Sequence, residues 1–342
     1  VSAYAEDNLK ISSRLRLNLG LHFSLFHVQK QSYFSLQPRI SARYQLTDDI
    51  TLKASYTKMS QYVHLLSSMP IAMPTDLWVP VTKEIKPMQS HQYSLGGYYT
   101  GIKGWEFSVE GYYKDMRNVL EYKDGVSFFG SSTGWENKVE MGKGRSVGIE
   151  LMAQKTLGKT TGWLSYTLSK SDRKFAKGGI NNGERFPYKY RRHNINLTVN
   201  HKFNERIDIG ASWVFYTGGT STIPEEKTAI IRPGNGANNG YTPGYEDYYN
   251  PAYNNSPNIG ESNYVEHRNN YRLPASHRLN IGINFNRKTK HGMRIWNISL
   301  YNAYNSMNPA WVYRAYNYDG KAVIKKYTLL PCIPSFTYTY KF

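Results

Sequence analysis

The sequence predicts an all-β fold, an antiparallel meander of about 13 strands that are each long enough to cross a lipid bilayer. Three observations predict it. Apolar and polar residues alternate with period two along most of the chain. The alternating runs are often about twice the 5 to 6 residues of an ordinary strand. Short and long connections also alternate between the runs, as expected when tight turns lie at one rim of a membrane barrel and long loops at the other.

The first run sets the pattern. Leu15, Leu17, Leu19, Leu21, Phe23 and Leu25 interleave with Arg14, Arg16, Asn18, Gly20, His22 and Ser24. Side chains alternate faces along a strand, so one face is apolar and the other polar. Ile40, Ala42, Tyr44 and Leu46 follow, opposite Arg39, Ser41, Arg43 and Gln45. The turn Thr47-Asp48-Asp49 leads into Ile50, Leu52, Ala54 and Tyr56, opposite Thr51, Lys53 and Ser55. Tyr93, Leu95 and Tyr99 then precede a Lys103-Gly104 turn, and Trp105, Phe107 and Val109 run opposite Glu106, Ser108 and Glu110. Further runs carry Val147, Ile149 and Leu151; Leu164, Tyr166 and Leu168; Ile195, Leu197 and Val199; and Ile207, Ile209 and Trp213. The last carry Leu279, Ile281 and Ile283; Trp296, Ile298 and Leu300; and Phe336, Tyr338, Tyr340 and the terminal Phe342.

Short connections are expected near 47–49, 102–104, 156–161, 203–206 and 286–293. Long ones are expected near 27–35, 61–90, 118–144, 171–190, 217–272 and 303–333. Trp105, Trp163, Tyr99 and Tyr340 should form an aromatic girdle near the short-turn rim, where amphipathic rings favour the headgroup layer.

Composition excludes several classes. The 342 residues include 30 tyrosines and seven tryptophans, while the mean hydropathy is −0.60. Disorder goes with few aromatics, and no stretch approaches the roughly 20 apolar residues of a spanning helix. Net charge is +18, from 43 Lys and Arg against 25 Asp and Glu. These charges are spread through the alternating runs without a block or a nucleic-acid-binding motif, so the sequence offers no nucleic-acid footprint. The single Cys332 cannot form an internal disulfide, and no Cys/His spacing suggests zinc. Val1 opens directly into VSAYAED without a signal-like segment, so either an export signal has been removed upstream or the chain begins partway through a longer protein.

Several segments, by their order and spacing, resemble the barrel domain of TonB-dependent receptors, especially those of the Bacteroidetes. They are Pro38-Arg39-Ile40-Ser41 through Thr51-Leu52-Lys53-Ala54-Ser55-Tyr56; His64-Leu65-Leu66; Pro74-Thr75-Asp76-Leu77-Trp78-Val79-Pro80; Gly111-Tyr112-Tyr113-Lys114-Asp115-Met116; and Gly148-Ile149-Glu150-Leu151. Ser165-Tyr166-Thr167-Leu168-Ser169-Lys170, Tyr271-Arg272-Leu273-Pro274, His277-Arg278-Leu279, Tyr301-Asn302-Ala303-Tyr304-Asn305 and Asn308-Pro309 complete the set. The resemblance covers nearly the whole chain. It implies that residues 1–342 are the C-terminal portion of a barrel of about 22 strands with a plugged lumen. The N-terminal plug and the first strands would then be absent from this chain. It further implies a receptor and transporter in the outer membrane of a Gram-negative bacterium, taking up a siderophore, cobalamin, glycan or peptide through TonB. An adhesin or a passive porin is the alternative barrel, although a porin needs no loops of roughly twenty residues. An open sheet leaves unpaired edges that hydrocarbon cannot satisfy, so the chain should not form a working pore alone.

No catalytic constellation is visible, and no cofactor or metal is implied. Gly158-Lys159-Thr160 resembles the end of a P-loop, but Ala153 stands where its first glycine belongs, and the segment is a turn between strands. His193 and His277, beside Arg192 and Arg278, read as interfacial polar residues. On the polar face, Arg14, Arg16, Arg39, Arg43, Lys53, Glu106, Glu110 and Glu150 should face the lumen. By the resemblance they contact the plug; the alternative is a solvated lumen lining. The long loops are where ligand recognition is expected. Trp78, Tyr122, Phe128, Phe129, Trp135, Tyr245, Tyr248, Tyr249 and Tyr253 are the candidates, because aromatic faces offer broad contact at low entropy cost. Packing within the loops is the competing reading of each.

Overall fold

The computed structural model describes residues 1–67, 76–124, 126, 134–188, 190–231 and 259–342. Thirteen strands form one curved, antiparallel sheet in chain order. They are Ser2–Lys10 (β1), Leu15–Val28 (β2), Gln31–Gln45 (β3), Ile50–Gln61 (β4), Met88–Tyr99 (β5), Trp105–Tyr122 (β6) and Val139–Lys155 (β7). Thr160–Lys174 (β8), His193–Lys202 (β9), Ile207–Tyr216 (β10), Ser276–Thr289 (β11), Gly292–Tyr301 (β12) and Ile333–Lys341 (β13) complete it. A two-residue strand, Phe186–Pro187, adds to the end of β8. Among the described residues no helix is long and apolar enough to cross a membrane.

Register places the polar residues of neighbouring strands on one face. Arg16 pairs with Arg43, Arg43 with Lys53, Lys53 with Gly96, Gly96 with Glu110, and Glu110 with Glu150. This face is concave, because Arg16, Arg43, Lys53, Ser94 and Glu110 line a hollow of about 710 Å³. The opposite face carries Leu19, Ile40, Leu52, Leu95, Val109, Ile149, Leu164, Ile298 and Phe336, all of them exposed. Leu95 is 66% exposed. A continuous apolar surface of this kind is tolerated only where lipid rather than water is the solvent.

Aromatics mark both rims of the outer face. Toward the short turns, Trp105 stacks on Phe107 at 5.7 Å and Trp296 lies 4.5 Å from Tyr338. Toward the long connections, tyrosine hydroxyls meet histidines: Tyr56 with His91 at 2.9 Å, Tyr166 with His193 at 2.8 Å, and Tyr304 with His277 at 2.8 Å. His193 and His277 thus lie on the outer face of the sheet, toward the long connections. Trp163 differs from expectation. It is near the short-turn rim but pairs with Gln154 and Thr198 on the concave face, because Leu164, Tyr166 and Leu168 claim the outer face of that strand.

All long connections leave the same rim, as expected, with one correction. The predicted long loop at 27–35 is strand. Val28 pairs with Gln31 across a two-residue turn whose Gln29 and Lys30 have φ of 48° and 64°. Positive φ at both positions matches the twist of flanking strands and closes a tight hairpin. The predicted short connection at 286–293 likewise shrinks to Lys290-His291, between Thr289 and Gly292. The long connections also hold hairpins of their own, Val63–Leu66 with Leu77–Pro80, Glu226–Ile231 with Ile259–Tyr264, and Pro309–Tyr316 with Ala322–Thr328.

Candidate functional site

Two regions of the concave side carry organised charge. The first is the wall. Lys10, Arg16, Arg43 and Lys53 lie directly opposite one another on four successive strands. Like charges so placed repel, and none of the four has a carboxylate within ion-pair distance among the described residues. Lys53 Nζ instead lies 3.9 Å from the Tyr98 ring centre, and the Tyr98 hydroxyl donates to Glu110 at 3.0 Å. Arg39 and Glu106 share this face by register, four residues from Arg43 and Glu110. Arg14 is exposed just before β2. The wall of β9–β12 is different, with amides gathered around a single carboxylate. Asn284 and Asn286 both donate to Asp208, and Asn297 donates to Asn284.

The second region is the mouth. β6 and β7 run past their neighbours as an extended hairpin, with a bulge at Asn118 where φ is 57°. Apolar residues on the extension pack in two clusters. Leu120, Tyr122 and Val139 pack with Leu66, Val79 and Ile85. Val119 packs with Phe175, Ile180 and Phe186. Between them Glu121, with only 7% of its side chain exposed, is clamped by two arginines. Arg173 Nη1 donates to Glu121 at 2.7 Å and to the Leu120 carbonyl at 3.0 Å. Arg268 reaches Glu121 at 3.5 Å, Asp124 at 3.2 Å and the Tyr122 carbonyl at 2.8 Å. A second buried carboxylate, Asp172, accepts from Arg145 Nε at 3.0 Å and also pairs with Arg185. Three connections distant in sequence are thereby tied to one hairpin.

Burial and charge tune this region. Burial pushes the Tyr188 phenol up to about 12, opposed by Arg173 and reinforced by Glu121. Arg173 lies 3.3 Å above the Tyr188 ring. Burial first, and Arg173 second, lower His64 from the usual imidazole range.

Among the loop aromatics expected to meet ligand, Trp78 is 66% exposed. Tyr122 is 9% exposed within its apolar cluster, and Trp135 packs against that same cluster. Phe128, Phe129, Tyr245, Tyr248, Tyr249 and Tyr253 lie outside the described residues. Sequence reasoning missed the clamp residues Glu121, Arg173 and Arg268. The only signal was a glutamate among apolar neighbours in Val119-Leu120-Glu121-Tyr122. Among the described residues no group of three or more His, Cys, Asp or Glu side chains could hold a metal.

The sequence profile described as "TonB dependent receptor-like, beta-barrel" matches residues 1–305. The chain belongs to the TonB-dependent receptor β-barrel family. It is accordingly a protein of the Gram-negative outer membrane. Solved structures with a similar fold include the ferric-catecholate import receptor Fiu of E. coli, at 14% identity and a TM-score of 0.57 over 98% of this chain. Another is the ferric yersiniabactin uptake receptor FyuA of Yersinia pestis, at 14% identity and 0.59 over 100% of this chain. A third is the ferripyoverdine receptor of Pseudomonas aeruginosa, at 11% and 0.56 over 98%. This chain spans 44%, 45% and 37% of those three chains respectively, less than half of each. No curated protein matches the sequence. The family and these neighbours are transport receptors, not enzymes.

Proposed function

We propose that residues 1–342 form the C-terminal wall of a TonB-dependent receptor that imports a scarce nutrient and performs no bond chemistry. The observation that carries this reading is the arrangement of the sheet within a family-matched chain. One face is apolar, the concave face is charged, and every long connection stands at a single rim. In this reading upstream residues supply the plug and the first strands. The cationic row on β1–β4 faces acidic residues of whatever fills the lumen, which offsets a repulsion that would otherwise be costly. The clamped loops and exposed aromatics such as Trp78 capture the solute, and TonB engages the plug. Ferric siderophores head the substrate classes, because the similar structures include ferric-siderophore receptors; cobalamin, glycans and peptides use the same scaffold type.

The test is growth. The gene for the intact protein is deleted in its host, and growth is measured on limiting ferric siderophore, cobalamin, glycan or peptide, with and without TonB. Loss of growth on one nutrient, restored by the intact gene only when TonB is present, is the expected result. Residues 1–342 alone behind an export signal should restore nothing, since each unpaired backbone group in hydrocarbon costs several kcal/mol. Growth restored by the intact gene without TonB would overturn the reading in favour of a passive porin.

A further inference from the structure

Two sets of arginines surround the mouth. Arg145, Arg173, Arg185 and Arg268 are each paired with a buried or half-buried carboxylate. Arg191, Arg192, Arg272 and Arg278 have no carboxylate within ion-pair distance among the described residues. They rest on tyrosines instead. Arg191 lies 3.5 Å from the Tyr216 ring centre and Arg278 lies 4.3 Å from that of Tyr301. Arg272 lies 4.9 Å from the Tyr190 ring and donates to the Gly218 carbonyl at 2.8 Å.

Register brings the first two pairs together. Tyr216 pairs with Ser276, and Val214 with Arg278. Tyr216 and Arg278 are therefore diagonal neighbours on the concave face, within reach of long side chains. Just below them Ser212, Asn280, Ser299 and Tyr301 line a hollow of about 390 Å³ whose polar groups are neutral. Arg278 Nη1 donates to the Tyr301 hydroxyl, but its enclosed Nε–H has no partner. An enclosed cationic donor without an acceptor is costly. A guanidinium lying over an aromatic face still presents unused donors at its edge.

We infer that Arg191, Tyr216, Arg278 and Tyr301 form a subsite for a ring-bearing anion as it enters the lumen. The guanidinium edges supply donors for carboxylate, sulfonate or phenolate oxygens. The tyrosine rings supply apolar faces for a planar ring. The uncompensated charge draws such a solute toward the wall before contact, and the neutral hollow below accepts it without a competing carboxylate. A small anion lacking a ring gains only the charge component, and a neutral ring gains only the stacking.

The inference rests on the receptor reading above, so its experiment includes an arm that separates the two. The intact protein in detergent is titrated with the fluorescent anion 8-hydroxypyrene-1,3,6-trisulfonate, read by anisotropy. Neutral 1-pyrenemethanol and inorganic sulfate are the comparison probes. Saturable binding of the trisulfonate is expected, weakened about tenfold or more in the R191Q/R278Q double variant, since charge-assisted hydrogen bonds are the strong ones. Y216F should bind as the parent does, whereas Y216L should bind more weakly. Unchanged heat-modifiable migration of each variant shows that the barrel is folded. Equal affinity for 1-pyrenemethanol, equal displacement by sulfate, or an unaffected double variant would each overturn the subsite. If arginine-dependent binding occurs but the intact gene supports no TonB-dependent growth, the receptor reading fails and the subsite stands. TonB-dependent growth with arginine-independent binding sinks the subsite alone.

Discussion

The mouth and the wall treat charge in opposite ways. At the mouth, Glu121 and Asp172 are almost fully buried, and each is gripped by one arginine from a strand and one from a long connection. On the wall, Lys10, Arg16, Arg43 and Lys53 stand side by side, exposed and without a carboxylate partner among the described residues. A buried carboxylate cannot be left unpaired, so the mouth charges specify where the loops sit. The exposed wall charges repel one another, and only the contact of Lys53 with the Tyr98 ring sets any attraction against that among the described residues. The contrast separates charges that build this chain from charges that, on the reading proposed above, face whatever fills the lumen.

The largest effect should follow from breaking the clamp. Glu121→Ala leaves Arg173 and Arg268 without their shared partner in a region that excludes water. Removing one member of a buried pair costs about 3–5 kcal/mol. This energy belongs to the loops rather than to the sheet, so the lesion should appear as local opening. Hydrogen exchange is expected to rise at 175–188 and 264–273 while amides of β2–β5 keep their protection. Unchanged exchange in those loops would show that the apolar clusters alone hold the mouth.

Tyr188 offers an intermediate effect on the same side. Its phenol is raised from 10.0 to about 12, first by burial. The neutral form is therefore favoured in the folded mouth more than in an open one. The resulting stabilisation is complete below about pH 10 and is lost as pH rises through about 12. Ultraviolet titration should show one tyrosine ionising later than the others, and Tyr188→Phe should remove that late phase. A late phase that survives Tyr188→Phe would assign the buried phenol elsewhere.

Much of this architecture was legible in the sequence because the barrel makes a period-two demand on every strand. The number of strands, the apolar face and the shared concave face of Arg16, Arg43, Lys53, Glu110 and Glu150 follow from alternation alone. Alternation also shows where the reading failed. Residues 31–36 alternate too, as Ser32, Phe34 and Leu36 against Gln31, Tyr33 and Ser35, but without a glycine or proline the two-residue turn at Gln29-Lys30 leaves no ordinary signature. The rim position of Trp163 was legible but its face was not, because a tryptophan between Gly162 and Leu164 suits either face. The clamp was invisible for a different reason. Glu121, Arg173 and Arg268 are far apart in the chain, and only tertiary packing brings them together. Exposure of the loop aromatics was also unreadable, since Trp78 and Tyr122 look alike in sequence and differ only in what packs on them.

The smallest effect, and the one that tests the contrast most directly, belongs to Arg43. It stands between Arg16 and Lys53, directly opposite each. On a bare wall, Arg43→Ala would relieve repulsion and stabilise the protein slightly at low ionic strength. Facing acidic residues of a lumen-filling segment, the same change would remove attraction and destabilise it. Either effect is about 1 kcal/mol or less, because exposed charges interact weakly. The sign therefore carries the information. For the intact protein in lipid vesicles, urea unfolding at low salt should show Arg43→Ala to be the less stable. The difference should shrink at 1 M salt, where the screening length falls to about 3 Å. A variant more stable at low salt would mean that the cationic row faces water, and the proposed acidic partner in the lumen would have to be abandoned.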